Sequence, residues 1–546
     1  MSHINKYDYV RFSVADIHGR SRGRIVPARH VKKTFETGIG CNLFAVVFNN
    51  HAITYLADTD ALKTRIKEHQ SSVDRADFES APSDHICNDP NNSIQWDKIK
   101  ALTTSLKNFK IRKVQDLINI KKRLQPPINR DQGCYILPAL QGVWVNVLSF
   151  SSATSVLTVY ESSMLNSSSR GFLSFGLHKE VTCPSENMAD FRAPKAYLRP
   201  DIDTLYNVSW SGQDDILVAE IICESYWLKD GSAQLACPRY VARQQLEKLT
   251  NHGFSLFSGY EVEFTLTQAG RPYLLEPDYM RHRLVSKHDG FLFYLEKHMH
   301  QAGVDIGSFH SEWGAGLFEM VLQPSYGIKS ADSCITFKNG ILEIGDKKDY
   351  SVCFNPMQGC GGVGMHFNHS LWSSSSGVNV FYDPDSDHGL STLGRHWLAG
   401  LMKHAKALSA FFCPTINCYN RLHKPNLPGL IYWSTNKRSA CVKVKSLEAG
   451  TYLENRIPSG MSNPYITLAA TIAAGLDGIE KKLECPPVDQ FSSSKALPHT
   501  LSEAINHLQV DTDMVHSLGK EFIEWFVCTL NTDIDDTSGM VCSGIK

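Results

Sequence analysis

Glu261-Val-Glu263, His366-Phe-Asn368 and Glu454-Asn-Arg456 each place two polar groups two residues apart. Residues two apart on a strand point to one face. Each pair can therefore enter one cavity while Tyr260, Val262, Phe264, Met365 and Phe367 pack the other side. A fourth stretch, Glu312-Trp-Gly-Ala-Gly-Leu-Phe-Glu319, adds two carboxylates around a glycine-rich turn. Five carboxylates and one imidazole brought together repel one another unless cations lie between them. Oxygen-rich donors with a single nitrogen favour Mg2+ or Mn2+ over zinc. Divalent ions of that kind commonly serve phosphoryl transfer.

The elements that must position these residues are legible in part. Val10, Phe12 and Val14 alternate with polar residues, and His18-Gly19 breaks that strand, so residues 8–60 read as a small β-rich unit. Residues 200–546 mix strands with long helices. From Pro238 to Gly253, Val241, Leu246 and Leu249 form a helical stripe. Asn463-Pro464 predicts a helix start, with Asn as cap and Pro in the first turn. The face Ile466, Ala469, Ile472, Ala473 and Leu476 follows it.

Composition narrows the class. The 546 residues suffice for two or more domains and a large core. Hydrophobic content of 42% and charged content of 20% are ordinary for a globular protein. A net charge of -1 gives no general pull toward nucleic acid or anionic membrane. No apolar run reaches the roughly 18 residues of a membrane span, and Met1-Ser-His-Ile-Asn-Lys is too polar for a secretory signal. Fifteen scattered cysteines, without C-x-x-C pairs, read as reduced thiols in the cytoplasm.

At the chemical residues the chain resembles the glutamine synthetase family, and within it the lengsin branch. Tyr9 to Gly19 resembles the family's first strand and D-x-x-G turn, and Gly259-Tyr-Glu-Val-Glu-Phe264 its G-x-E-x-E-F strand. Glu312 to Glu319 resembles E-x-x-P-G-Q-x-E, and Gly362-Val-Gly-Met-His-Phe-Asn-His-Ser370 resembles G-S-G-M-H-x-H-x-S. Asn417-Cys-Tyr-Asn-Arg-Leu422 is similar to N-x-Y-x-R-L. Glu454-Asn-Arg-Ile-Pro458, Asn463-Pro-Tyr465 and Ala473-Ala-Gly-Leu-Asp-Gly478 complete the series. Pro238 to Arg243 and Trp397 to His404 look more like lengsin than like housekeeping glutamine synthetases.

The resemblance implies an α+β fold, with an N-terminal β-grasp domain and a C-terminal domain built on a curved antiparallel sheet. It implies two metal sites, Glu263 with Glu312 and Glu319, and Glu261 with His366 and Glu454, holding Mg2+ or Mn2+. Arg421, Arg438 and Arg456 match arginines that grip phosphate and substrate carboxylate; guanidinium geometry suits both. Gly362 matches the glycine that approaches the amino-acid substrate, Ser370 a residue that contacts ATP. It further implies a homo-oligomer of two stacked hexameric rings, and cytoskeletal partners if the protein behaves like lengsin.

The departures point elsewhere. Leu427 occupies the place of the family's flap glutamate, which closes the site and helps take a proton from the incoming ammonium; leucine does neither. Asn368 stands where the family has a histidine near the phosphates. Leu317 replaces a glutamine, Gly361 an asparagine and Lys443 an arginine, and Ala449 and Tyr452 occupy positions of basic residues. Cys41-Asn42-Leu43-Phe44 lacks the ammonium-binding aspartate of the family's D-G-S motif. Metal ligands thus survive while ammonium, flap and nucleotide groups are eroded. Two activities fit: weak or absent glutamine synthetase activity in a metal-binding oligomer, or an ATP-dependent carboxylate–amine ligase with another amine. A purely structural oligomer is a third.

Residues 66–187 interrupt the resemblance. The domains are expected as 1–65 and 188–230 for the β-grasp unit, 66–187 for an insertion, and 231–546 for the catalytic-type domain. The insertion reads as an unstructured surface segment, an ordered lineage-specific subdomain, or translated non-coding sequence. The apolar run Cys134 to Phe150 argues against complete disorder.

Overall fold

The computed structural model describes residues 4–37, 39–41, 196–212, 216–227, 231–268, 271–272, 279–356, 362–447, 450–492 and 494–542, and short strands between 135 and 182. The chain divides into two compact units, residues 1–48 with 194–546, and residues 49–193. In the second unit β4 (Tyr135–Ala139), β5 (Val143–Val147) and β6 (Leu157–Glu161) form an antiparallel meander, and β7 (Ser174–Phe175) pairs with β8 (Val181–Thr182). The rest of the expected insertion, residues 66–187, lies outside the described residues.

In the first unit the expected N-terminal strand is β1 (Tyr9–Ala15), and Val10, Phe12 and Val14 are fully buried. It pairs antiparallel with β2 (Ser21–Pro27) and parallel with β11 (Val218–Trp227). The sheet continues through β9 (Ala196–Pro200) to β3 (Ile39–Cys41), and β10 (Tyr206–Asn207) adds to β11. One helix, Ala28–Thr37, follows β2, and its Phe35 meets Phe12 edge-on at 5.8 Å. The turn between β1 and β2 is fixed by Asp16, whose Oδ1 accepts the amides of His18 (3.0 Å) and Arg20 (2.9 Å). Gly19 takes φ +78° there, a conformation that side chains resist.

The larger sheet runs β14 (Ile306–Ser311), β15 (Leu317–Leu322), β12 (Phe254–Gln268), β18 (Met365–Ser373), β21 (Gly450–Asn455), β20 (Val442–Leu447), β19 (Trp433–Ser434). Three short strands, β13 (Arg271–Pro272), β16 (Ser325–Tyr326) and β17 (Tyr350–Cys353), also pair with β12. The sheet is antiparallel except at one edge, where β19 and β20 run parallel. Alternation decides the two faces. Tyr260, Val262, Phe264, Met365 and Phe367 are buried to 1% exposure or less, so the charged residues between them face the other way.

The helices Pro238–Asn251, Lys329–Lys347, Thr392–Phe412 and Pro464–Glu480 bury the apolar side. Asn463 caps the last of these as expected, accepting the Tyr465 amide at 2.9 Å, with Pro464 in the first turn. The expected single apolar face is too narrow: this helix is buried from Pro464 through Leu476 on every side. Gly475 makes that possible, because a Cβ there would lie 2.2 Å from the Trp397 indole. Buried Arg239 ties the N-terminal sheet to the helices, reaching Asp332 (2.9 Å), Asp201 (2.7 Å) and Glu224 (3.3 Å). Among the described residues no helix is long and apolar enough to cross a membrane.

Candidate metal centre

Strand register brings the expected ligands together. Glu261 on β12 lies opposite His366 on β18, and Glu454 on β21 lies opposite Asn368. His366 Nδ1 is 2.9 Å from Glu261 Oε2 and 3.8 Å from Glu454 Oε1. One donor atom from each of the three fits within 4.8 Å of the others. Asn368 donates its amide to Glu261 Oε1 at 2.8 Å, which orients that carboxylate. Burial pushes the pKa of both carboxylates up, but their partners prevail. His366 leads in lowering Glu261, and His366, Arg456, Lys443 and Lys445 hold Glu454 down at about 2.

A second group sits on the adjoining strands. Glu319 on β15 lies opposite both Glu263 on β12 and His310 on β14. His310 Nε2 is 3.1 Å from Glu312 Oε1 and 4.0 Å from Glu319 Oε1, and these three also fit within 4.8 Å. Glu263 turns toward the Gly364 amide, which donates to its Oε2 at 2.6 Å. Burial, with the charges of Glu261, Glu263, Glu312 and Glu454, pushes the Glu319 carboxyl up to about 9. Sequence reasoning missed His310. Its signal was the strand spacing His310-Ser-Glu312, the same spacing used for the other pairs.

The expected anion-binding residues surround these groups. Arg421 is buried at 1% exposure; its Nη1 and Nη2 donate to the carbonyls of Ile457 (3.0 Å) and Arg456 (2.9 Å). Its Nε is buried without a hydrogen-bond partner. Burial lowers its pKa against the opposing charge of Glu263. Arg456 contacts Glu454 through Nη1 and donates Nε to the Arg438 carbonyl at 3.0 Å. The Arg438 side chain is exposed, and its charge reaches Tyr279. Gly362 lies against Arg421 and Leu427: a Cβ on it would come within 2.9 Å of one and 3.1 Å of the other. Leu427 therefore borders Gly362. Ser370 accepts the Trp372 indole N–H at 3.0 Å. Leu317 is buried opposite Thr265, and Lys443 lies opposite Glu454. Gly361, Ala449 and the segment from Asn42 to Phe44 lie outside the described residues.

Two aromatic groups border the carboxylates. Phe257 and Trp372 share the carboxylate face of β12 and β18, and with Tyr326 they form a cluster with ring centroids 4.7–6.2 Å apart. On the other side Tyr279 and Trp313 lie parallel, 5.5 Å apart, and both are exposed. Trp313 donates its amide to Glu312 Oε2 at 3.1 Å.

The donor set suits a hard divalent cation: carboxylate oxygens with one imidazole in each group. Glu319 agrees with this: burial and then its carboxylate neighbours raise its pKa, and a dication would neutralise those neighbours.

Residues 235–542 match the family described as glutamine synthetase, catalytic domain. Lengsin of Rattus norvegicus is 30% identical over 356 residues, covering 62% of this chain and 62% of that protein. The chain thus spans less than two thirds of that relative. Glutamine synthetase of Thermotoga maritima is 32% identical over 370 residues, covering 63% of this chain and 83% of that one. Among solved structures, one described as a novel glutamine synthase homolog superposes with TM-score 0.63 at 20% identity, covering 98% of this chain and 96% of that one. A GmaS/ADP complex superposes with TM-score 0.66 at 19% identity, covering 98% and 95%. These two likenesses establish the fold: the α+β glutamine synthetase fold expected from the sequence.

Proposed function

The chain belongs to the glutamine synthetase family, and from that premise we propose that it is a lengsin-like member that binds Mg2+ or Mn2+ with ATP or ADP and makes glutamine weakly or not at all. One contrast carries this reading. Two three-residue ligand groups are assembled at short range, while Leu427, which the resemblance sets at the flap position, lies beside Gly362. Glu261, His366 and Glu454 would hold one ion, and Glu312 and Glu319, with Glu263 or His310, the other. Bound there, the ions would neutralise phosphate oxygens. Arg421, Arg438 and Arg456 bring permanent positive charge for phosphate and carboxylate. The aromatic cluster of Phe257, Tyr326 and Trp372, near Ser370, suits a planar base.

Leu427 supplies no group for the amine step. A proton must leave the amine as it attacks an activated carboxylate, and leucine cannot accept it. Metal and nucleotide binding can persist while the chemical step fails, because rate requires groups that act in the transition state.

One observation favours the second reading, an ATP-dependent carboxylate–amine ligase with an amine other than ammonia. The exposed Tyr279–Trp313 pair beside Glu312 offers apolar surface and a negative charge together. That combination suits a carbon-bearing amine better than ammonium.

The reading includes a cytoplasmic homo-oligomer of two hexameric rings, with cytoskeletal partners as in the lengsin expectation. It keeps residues 1–65 and 188–230 as the β-grasp unit, 66–187 as an insertion and 231–546 as the catalytic-type domain. Light scattering tests the oligomer; a monomer at micromolar concentration excludes a ring. The function is tested by measuring Mn2+ binding, and ADP release from ATP across a panel of acids and amines. Expected are metal binding and little glutamine. Glutamine formation at a normal rate overturns the proposal, and ADP release with another amine establishes the ligase.

A further inference from the structure

The segment from Leu422 to Gly429 carries Leu427 against Gly362, and it holds His423 (φ 65°) and Asn426 (φ 66°) in left-handed backbone. Side chains resist that conformation, so the segment has to be held in place. Two backbone bonds close it: His423 N to Pro428 O at 2.9 Å, and Leu427 N to Lys424 O at 3.1 Å. At its base, Ile431 N reaches Lys495 O at 2.8 Å and Leu497 N reaches Gly429 O at 2.9 Å. Residues 429–431 are thereby pinned to residues 495–497.

That second segment continues into His499, whose ring stacks on His423 with centroids 3.8 Å apart and planes 14° apart. His423 Nε2 lies 3.1 Å from the Pro498 carbonyl. A carbonyl only accepts, so Nε2 carries the proton and a second proton must go to Nδ1. Gly429 makes room for the ring: a Cβ there would lie 3.0 Å from both Cα and Nδ1 of His423. Parallel rings do not turn their lone pairs toward one point, so the pair does not suit a metal ion. Two neutral rings, or one neutral and one charged, can stack; two imidazolium rings at this separation repel.

The surrounding charges answer one proton and not two. Glu503 Oε2 accepts the His499 amide at 2.9 Å, and Glu503 Oε1 lies 3.9 Å from His507 Nε2. Against a positive charge stand the N-terminal end of helix Leu501–Val510, the exposed Lys424 and Lys495, and buried Arg421. These groups supply a single carboxylate.

We propose that His423 is a positioning residue for Leu427 and that the His423–His499 stack is its latch. The latch is closed while the pair carries at most one charge and is released when both rings are protonated. Release frees residues 422–428 and uncovers Gly362. It goes beyond the metal and nucleotide reading and depends on neither.

The test is hydrogen exchange of the full chain at pH 5.0 and 7.5, corrected for the intrinsic pH dependence of exchange. Histidine ordinarily titrates between those values. The readout is the peptide over residues 422–429, with helix Pro464–Glu480 as the control for global opening. In the wild type the loop should exchange about tenfold faster at pH 5.0, from two close charges screened at an exposed His499. His499→Phe keeps a flat ring without the charge and should remove that difference. His499→Ala removes the stack and should give fast exchange at both pH values. Equal exchange at the two pH values in the wild type overturns the latch, as does a pH response that survives in His499→Phe. Slow exchange in His499→Ala at pH 7.5 overturns the positioning role. Opening of helix Pro464–Glu480 in step with the loop at pH 5.0 overturns the proposal too, because the response would then be global.

Discussion

Glu319 and Glu454 feel each other's charge across the cavity, yet burial and neighbours leave one near 9 and the other near 2. Glu319 is surrounded by Glu261, Glu263 and Glu312; Glu454 is held by His366, Arg456 and two lysines. Carboxylates crowd Glu319, whereas side-chain cations already stand beside Glu454. Glu319→Gln removes a carboxylate from the crowded group. The metal-free variant should melt at a higher temperature than the wild type, and Mn2+ should stabilise it less. At Mn2+ one hundredfold above Kd, bound metal contributes about 2.7 kcal/mol to the wild type. Thermal melting with and without Mn2+ measures both effects. A variant with a lower metal-free melting temperature and full Mn2+ stabilisation would sink the assignment.

The carboxylate pairs were legible because strand periodicity is two, so Glu261 with Glu263 and His366 with Asn368 had to share faces. The helix start at Asn463-Pro464 was legible for a similar local reason. Register was not: nothing within β14 says that His310 lies opposite Glu319, and nothing within β20 says that Lys445 lies opposite Tyr452. Both depend on pairing with distant strands. The all-round burial of Pro464–Leu476 was not legible either, because it depends on contacts such as that of Gly475 with Trp397 of another helix. Lineage motifs revealed the fold, but which side chains meet across the sheet needs the cross-strand register.

His404 should make the helical side of the protein sensitive to pH. It is 1% exposed, with Nδ1 2.6 Å from Asp511 and Nε2 2.9 Å from Asp477. Both ring nitrogens face carboxylates, so both bear protons in this arrangement. Burial opposes the charge, but the two aspartates prevail and raise the pKa above the usual histidine value. Lys403 and Lys481 bind Asp477 and Asp513, which balances the remaining carboxylates. A raised folded-state pKa stabilises fully below the unfolded value near 6.5, and this stabilisation is lost as pH rises through the folded value. Melting temperature should therefore fall from pH 6 toward alkaline pH, and His404→Gln should flatten that slope. An unchanged slope in the variant would assign it to other groups.

Gly475→Ala tests the close approach of two helices. Its Cβ would lie 2.2–2.4 Å from three atoms of the buried Trp397 ring. Alanine favours helix by about 1 kcal/mol over glycine, but overpacking a tight core costs roughly 1–3 kcal/mol. The clash involves a rigid ring at 0% exposure that cannot swing aside, so the penalty should win. Chemical denaturation should show a lower midpoint with an unchanged slope. A stabilised variant would mean that Trp397 has room to shift.

Leu427→Glu should not by itself restore glutamine formation from glutamate, ammonia and ATP. Leu427 borders Gly362, so a carboxylate there would sit in the region expected for substrate. A positioned proton acceptor is worth roughly 10²–10⁴-fold in rate. The same site also carries Asn368 in place of a histidine, and Asn368 already donates to Glu261. Tyr452 leaves its strand position without the expected basic residue, with Lys445 opposite. Groups that act as a unit do not recover singly, because one restored member has no partners to act with. Coupled assays of ADP release and glutamine should therefore keep the variant near background, while Mn2+ stabilises both proteins to a similar extent. Glutamine formation rising a hundredfold in the variant would show that Leu427 alone blocks the reaction and that the other substitutions are tolerated.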